Sequence, residues 1–222
     1  MYLNKYYKDS IYTYIKNADQ REVVEYKYSD LGYYMLKEVL ETTYQKPLAT
    51  ILDEEFYQYL GVNRTTYLPL LKFDTKEIIP TEKDTYYRNQ LLHGNVHDMG
   101  AAMLGGVGAH AGLFANANDV AKIMQMYLQK GNYGDVSYFS TKAFDDFNTC
   151  HFCNEGNRRG LGFDKPQISG AGPTCGCVPM ISFGHTGFTG TIVPTINEFS
   201  YSGDGGEINT VIAPIDEMAN SR

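Results

Sequence analysis

Helical periodicity fills the first two thirds of this chain and then gives way to segments rich in glycine, threonine and aromatics. That order constrains the fold more than any other feature. Helices that all precede the strands cannot build the alternating strand–helix–strand units of a parallel sheet. They can pack on an antiparallel one, so the pattern predicts an α+β fold, with helices packed on an antiparallel β-sheet. Ser29 and Asp30 are good helix N-caps. Leu31, Tyr34, Met35, Val39 and Leu40 follow with helical period and predict a helix over about 30–43. Pro47 suits a first helical position and Gly61 a stop, with Leu48, Ile51, Leu52, Phe56, Tyr59 and Leu60 as the apolar face between them. Val120, Ile123, Met124, Tyr127 and Leu128 form the stripe of a third helix, capped by Asn116 or Asn118 and ended by Gly131. Shorter helices are expected around Ile11, Tyr14 and Ile15, near Asp98, and around Ala143, Phe144 and Phe147.

Strands are expected at Gly160-Leu161-Gly162-Phe163 and from Ser182 to Thr191, with Ile208 to Ile215 as a further candidate. Residues 62–95 show no clear period. They read as a long connection draped over the domain, a common form for a binding element. The run Gly105 to Gly112 does not fit a dinucleotide-binding register. Its glycines are expected to let two backbones pass closely.

Composition narrows the function. A hydrophobic share of 43% is enough for a core and excludes a disordered chain. The net charge is −7, from 26 Asp and Glu against 19 Lys and Arg, and no run of basic residues is present. Nucleic acid and anionic membranes are therefore excluded as partners. No transmembrane segment is expected, because the weakly polar run from Ala101 to Ala115 is too short and too rich in glycine to span a bilayer. No signal peptide is visible, because the start, Met1-Tyr-Leu-Asn-Lys, lacks an apolar stretch. A small-molecule substrate or ligand remains.

The four cysteines form two close pairs, Cys150/Cys153 and Cys175/Cys177, with 21 residues between them. Three readings stay open. Two chelating pairs can hold a structural zinc, although the second lacks the usual two-residue spacer. The pairs can also be disulfides of an exported protein, or unbonded thiols under a loop. His93 and His97 have helical spacing, but Gly94 and Asn95 lie between them, so no metal site is expected there. No cofactor is expected either.

Two short segments carry chemistry. Tyr28-Ser29-Asp30 stands at the mouth of a helix, where a phenol and a carboxylate can shuttle a proton. His185-Thr186-Gly187 stands in a glycine-rich strand, whose backbone N–H groups can face a developing oxyanion. The stretch Tyr28-Ser29-Asp30-Leu31-Gly32-Tyr33-Tyr34-Met35-Leu36 resembles the second motif of the serine β-lactamase and penicillin-binding-protein family. His185-Thr186-Gly187 resembles its third motif. Between them, His97-Asp98-Met99-Gly100-Ala101-Ala102 and Gly108 to Lys122 resemble the family's glycine-rich turn and following helix, and Gly160 to Phe163 its strand before the third motif.

The resemblance implies a β-lactamase/transpeptidase-like fold and acyl transfer through a serine acyl-enzyme. It implies a proton-moving role for Tyr28. Asp30 stands where the family often has Asn. His185 matches the cationic or donor residue of the third motif. Thr186 and Gly187 line the substrate, and the N–H of Phe188 matches one oxyanion donor. The implied substrate is a small molecule or peptidoglycan-type bond, and the implied location of the intact parent is the periplasm or cell envelope.

The family's first motif, S-x-x-K, supplies nucleophile and base, and no serine here has Lys three residues later. Thr13 and Lys16 have the spacing but lie only 12 residues before Tyr28, where the family's nucleophile stands much further upstream. Residues 1–191 are thus expected to be a partial hydrolase domain, incomplete at its N-terminus and inactive alone, with 192–222 as an unmatched tail. The alternatives are a non-catalytic glycan- or peptide-binding module, for which the 19 tyrosines offer stacking surfaces, and a small zinc-stapled domain.

Overall fold

The computed structural model describes residues 7–23, 25–167, 178–187 and 192–195. The chain divides into two compact units, Met1–Asn116 and Ala117–Arg222.

The first unit opens with α1 (Tyr7–Lys16) and α2 (Leu31–Tyr44). Tyr12, rather than the expected Tyr14, is the buried residue of α1, and its hydroxyl donates to the backbone oxygen of Tyr34 in α2 at 3.2 Å. The burial of α2 inverts the sequence reading. Leu31, Val39 and Leu40 are exposed, whereas Lys37 is only 4% exposed. The reason is local charge pairing. Glu41 lies one turn from Lys37, at 3.0 Å, and also takes Lys8 at 3.1 Å and the Leu48 N–H at 2.9 Å. A buried ammonium is tolerable only with such a partner.

That last bond leads into α3 (Leu48–Leu52), which continues through a π-helical turn (Asp53–Tyr57) into α4 (Gln58–Leu60) and ends at Gly61 with φ 63°. The extra residue of the π turn rotates the helix face. Tyr57 therefore goes inside with Leu48, Ile51 and Leu60, while the expected Tyr59 is exposed.

Residues 62–95 are more ordered than expected. They hold a hairpin of β1 (Pro80–Asp84) and β2 (Gln90–His93), paired antiparallel from Pro80↔His93 to Asp84↔Gln90. Asp84 builds its turn. Its carboxylate accepts the N–H groups of Tyr86, Tyr87 and Arg88 at 2.9, 2.8 and 3.1 Å, and pairs with the Arg88 guanidinium at 2.9 Å. The hairpin leads to α5 (Met99–Met103). The glycine-rich run then does what the sequence suggests. Gly106 and Gly112 have φ of +88° and +113°, and a Cβ on Gly112 would stand 2.6 Å from the Gly106 oxygen.

The second unit holds α6 (Ala117–Leu128), the small hairpin β3 (Asn132–Tyr133) and β4 (Val136–Ser137), α7 (Thr141–Asn148), and the antiparallel pair β5 (Phe183–Thr186) and β6 (Ile192–Thr195). Its core is Met124, Phe144 and Phe183, packed by Val120, Tyr127, Leu128, Phe139 and Phe163. The stripe expected for α6 thus supplies four of these residues. Ser140 caps α7 through its hydroxyl, which accepts the Ala143 N–H at 3.1 Å. Gly160 to Phe163 form a turn rather than the expected strand. The Gly160 N–H reaches the Phe163 oxygen at 2.9 Å, and a Cβ on Gly160 would collide with the Phe147 oxygen. Cys150 and Cys153 are joined in a disulfide, while Cys175 and Cys177 lie outside the described residues. The candidate strand Ile208 to Ile215 lies outside them as well. Among the described residues, no helix is long and apolar enough to cross a membrane.

Glu41 tests this packing. Glu41→Ala strands the buried Lys37 ammonium and should cost about 3 kcal/mol in chemical denaturation. Glu25→Ala, which removes only an exposed ion pair with Arg21, should cost about 0.5 kcal/mol or less.

Candidate functional site

In the first unit the site begins where α2 begins. Tyr28 lies just before the helix and is exposed. Asp30 occupies the N-cap position, but its side chain makes no capping bond. Ser29 takes that work, its hydroxyl accepting the Leu31 N–H at 3.2 Å. The Asp30 carboxylate is therefore not consumed by the helix end. Where a family member carries Asn, the amide both donates and accepts, whereas an ionised Asp only accepts.

One turn into α2, Tyr34 enters a knot that the sequence did not reveal. Its ring stacks on His110 at 4.5 Å between centroids with 15° between planes. His110 Nε2 meets Asp98 Oδ1 at 2.9 Å, and the same oxygen caps α5 by accepting the Ala101 N–H at 2.6 Å. The Tyr34 hydroxyl sits where a Cβ on Gly100 would be. Burial, reinforced by the charges of Asp98 and Asp30, pushes the Tyr34 phenol up to about 12, so it stays a neutral hydroxyl. The His110 bond and the Ala101 N–H outweigh burial and hold the Asp98 carboxyl below its ordinary range. The knot ties the helix that Tyr28 and Asp30 introduce to the glycine-rich run. His97 and Asp98 belong to a segment that resembles a family motif, but nothing in their spacing announces a contact with residue 110.

The hairpin and glycine-rich run also enclose a cavity of about 480 Å³, with Tyr87, Arg88, Gln90, Asn95 and Phe114 in its wall. Tyr28 and Asp30 do not line it. The Arg88 guanidinium there is engaged with Asp84 and with the backbone oxygens of Val96 (2.7 Å) and His97.

In the second unit the third-motif residues lie on β5. Phe183 anchors the strand in the core, with ring centroids 5.0 Å from Phe163 and 5.5 Å from Phe144. A strand's period of two places His185 on the same face. Thr186 ends the strand and Gly187 follows, both exposed, and Phe188 lies outside the described residues. Asp164 pairs with the strand through two backbone bonds, its N–H to the Gly184 oxygen at 2.8 Å and the Gly184 N–H to its oxygen at 3.1 Å. Its carboxylate takes Arg158 at 3.0 Å and Arg159 at 3.1 Å. Arg159 Nη1 then reaches His185 Nε2 at 3.3 Å, and His185 Nδ1 lies 2.7 Å from the Thr186 oxygen. Next to Asp164, Lys165 is buried. Its ammonium donates to Asn148 Oδ1 at 2.6 Å and to the Ile181 oxygen at 3.3 Å, and burial pushes its pKa down to about 8. Sequence reading missed Arg159, Asp164 and Lys165. The signal available is a charged doublet, Arg158-Arg159, directly before Gly160-Leu161-Gly162-Phe163.

Among the described residues no group of three or more His, Cys, Asp or Glu could hold an ion. His93 is engaged with the Ile78 oxygen at 2.6 Å and His97 with Glu82 at 2.5 Å.

The chain belongs to the β-lactamase family, whose profile matches residues 5–202. A provisionally named D-alanyl-D-alanine carboxypeptidase of Escherichia coli O157:H7 is 35% identical over 205 residues, covering 86% of this chain and 43% of the relative. A protein of the same name from Escherichia coli K12 is 36% identical over 178 residues, covering 74% of this chain and 41% of the relative. The chain thus spans less than half the length of these curated relatives. Among solved structures, a provisionally named β-lactamase from Bacteroides dorei aligns with a TM-score of 0.59 at 16% identity, over 89% of this chain and 54% of that one. The octameric penicillin-binding protein homologue from Pyrococcus abyssi aligns at 0.57 and 17%, over 86% and 41%. These alignments bear out the β-lactamase/transpeptidase-like α+β fold.

The knot makes two testable statements. Gly100→Ala should destabilise the first unit by about 2 kcal/mol, because the Tyr34 hydroxyl and the ring stacked on His110 must shift. Adding Tyr34→Phe should restore part of that loss, and equal instability of single and double variants in urea titrations would contradict the geometry. Asp98, Asp84 and Glu41 all have carboxyl pKa values lowered by folding. The unfolded chain then binds more protons below its own carboxyl range of about 4, so stability rises with pH there. Thermal unfolding should show full stability above about pH 5, falling with acid, and Asp98→Asn should flatten that fall.

Proposed function

We propose that this chain is part of a serine hydrolase that cleaves an amide, ester or β-lactam bond through an acyl-enzyme, with a D-alanyl-D-alanine-terminated peptide as the substrate class. The observation that carries this reading is the family match over residues 5–202, with Tyr28-Ser29-Asp30 and His185-Thr186-Gly187 inside it. The name of the Escherichia coli relatives supports the substrate class, and a cell-envelope location for the parent protein belongs to the same reading.

In this reading Tyr28 moves the proton between nucleophile, leaving group and water. The exposed phenol, and an Asp30 carboxylate that makes no capping bond, suit groups that meet a substrate. Thr186 and Gly187 hold the substrate's carboxylate or carbonyl along the strand edge, and the Phe188 N–H donates to the developing oxyanion. His185 belongs to the same edge. The serine and lysine that complete the mechanism are not supplied by any S-x-x-K in these residues, and relatives more than twice the matched length have room for one.

The test measures D-alanine release from a D-alanyl-D-alanine-terminated peptide. The 222-residue chain should release none, because nucleophile, base and supporting groups act as one unit. A longer in-frame polypeptide bearing S-x-x-K should release it, with a loss of about 100-fold or more on Tyr28→Phe. Release by the short chain, or a longer form that is inactive or indifferent to Tyr28, would contradict the proposal.

A further inference from the structure

The bonds around His185 fix more than its position. A guanidinium carries donors only, so at the Arg159 Nη1 to His185 Nε2 contact of 3.3 Å the imidazole nitrogen must accept. A backbone carbonyl only accepts, so at the 2.7 Å contact with the Thr186 oxygen Nδ1 must carry the hydrogen. Both ring nitrogens are thereby assigned, with one hydrogen between them. A hydrogen on Nε2 would point at the guanidinium and leave that contact without an acceptor. The guanidinium is itself held, its second nitrogen 3.1 Å from the carboxylate of Asp164, whose backbone pairs with Gly184 beside His185. Asp164 is 8% exposed, and Arg158 balances its other oxygen at 3.0 Å.

We propose that Arg159 is a positioning residue for His185, locking the imidazole as the neutral Nδ1–H tautomer with its Nε2 lone pair turned to the guanidinium. The consequence concerns which group carries charge at this strand edge. A third-motif Lys is a cation, whereas here both nitrogens of the imidazole are engaged. The positive charge that reaches His185 belongs to Arg159. The place of this charge in catalysis rests on the hydrolase reading above. The tautomer itself does not, and its measurement needs no turnover.

The test is a long-range proton–nitrogen correlation spectrum of the uniformly nitrogen-15-labelled chain, with the His185 signals assigned by their loss in His185→Gln. The wild-type spectrum should show Nδ1 as the protonated, pyrrole-type nitrogen and Nε2 as the bare, pyridine-type one. Arg159→Ala removes the donor at Nε2 but leaves the Thr186 oxygen on Nδ1, so the Nε2 signal should shift as its hydrogen bond is lost, while Arg159→Lys, which keeps a donor, should retain the wild-type pattern. A wild-type ring protonated on Nε2 would overturn the proposal without any variant being folded. So would an Arg159→Ala spectrum identical to wild type. Neither result would touch the hydrolase reading, which the release of D-alanine decides separately.

Discussion

Asp164 is the residue on which the third-motif strand depends. It is nearly buried, it pairs by backbone with Gly184 in both directions, and its carboxylate holds two arginines, one of which reaches His185. A lone buried carboxylate would be costly, and so would either arginine held without it. Together they make a polar bracket on one side of β5, while Phe183 anchors the strand in an aromatic core. Core packing fixes where the strand lies. The bracket fixes what its polar side chains present.

The first unit repeats the device three times. Glu41 joins Lys8, Lys37 and the start of α3, Asp84 makes the β1–β2 turn, and Asp98 joins α5 to His110 and thereby to Tyr34 in α2. Each carboxylate collects backbone N–H groups that would otherwise lack partners, together with a basic side chain. In this acidic chain, part of the carboxylate excess is structural and not a surface coat. The same arrangement frees Asp30, since Ser29 caps α2 in its place.

What could be read in advance follows from the range of the forces. Val120, Met124, Tyr127 and Leu128 repeat every three or four residues, and that local signal gave α6 and its buried face. On α2 the same rule failed, because the i,i+4 pair Lys37–Glu41 let a polar stripe go inside and left Leu31, Val39 and Leu40 exposed. β1 was missed because Pro80-Thr81-Glu82-Lys83-Asp84 has no alternation, and Asp84 acts on the residues after it. The motifs at Tyr28 and His185 were legible by resemblance, as they are short and contiguous. Arg159 and Asp164 were not legible, since their tie to His185 spans 26 and 21 residues and no spacing rule foretells it. The disulfide Cys150–Cys153 settles one of three open readings for its own pair.

The central claim is that the Asp164 bracket holds the strand carrying His185-Thr186. Native-state hydrogen exchange of Asp164→Asn measures it most directly, because the substitution keeps shape and backbone pairing but removes the charge. In that variant the Phe183–Thr186 amides should lose protection by about 100-fold, while the amides of α6 keep most of theirs. Wild-type protection across β5 in that variant would contradict it.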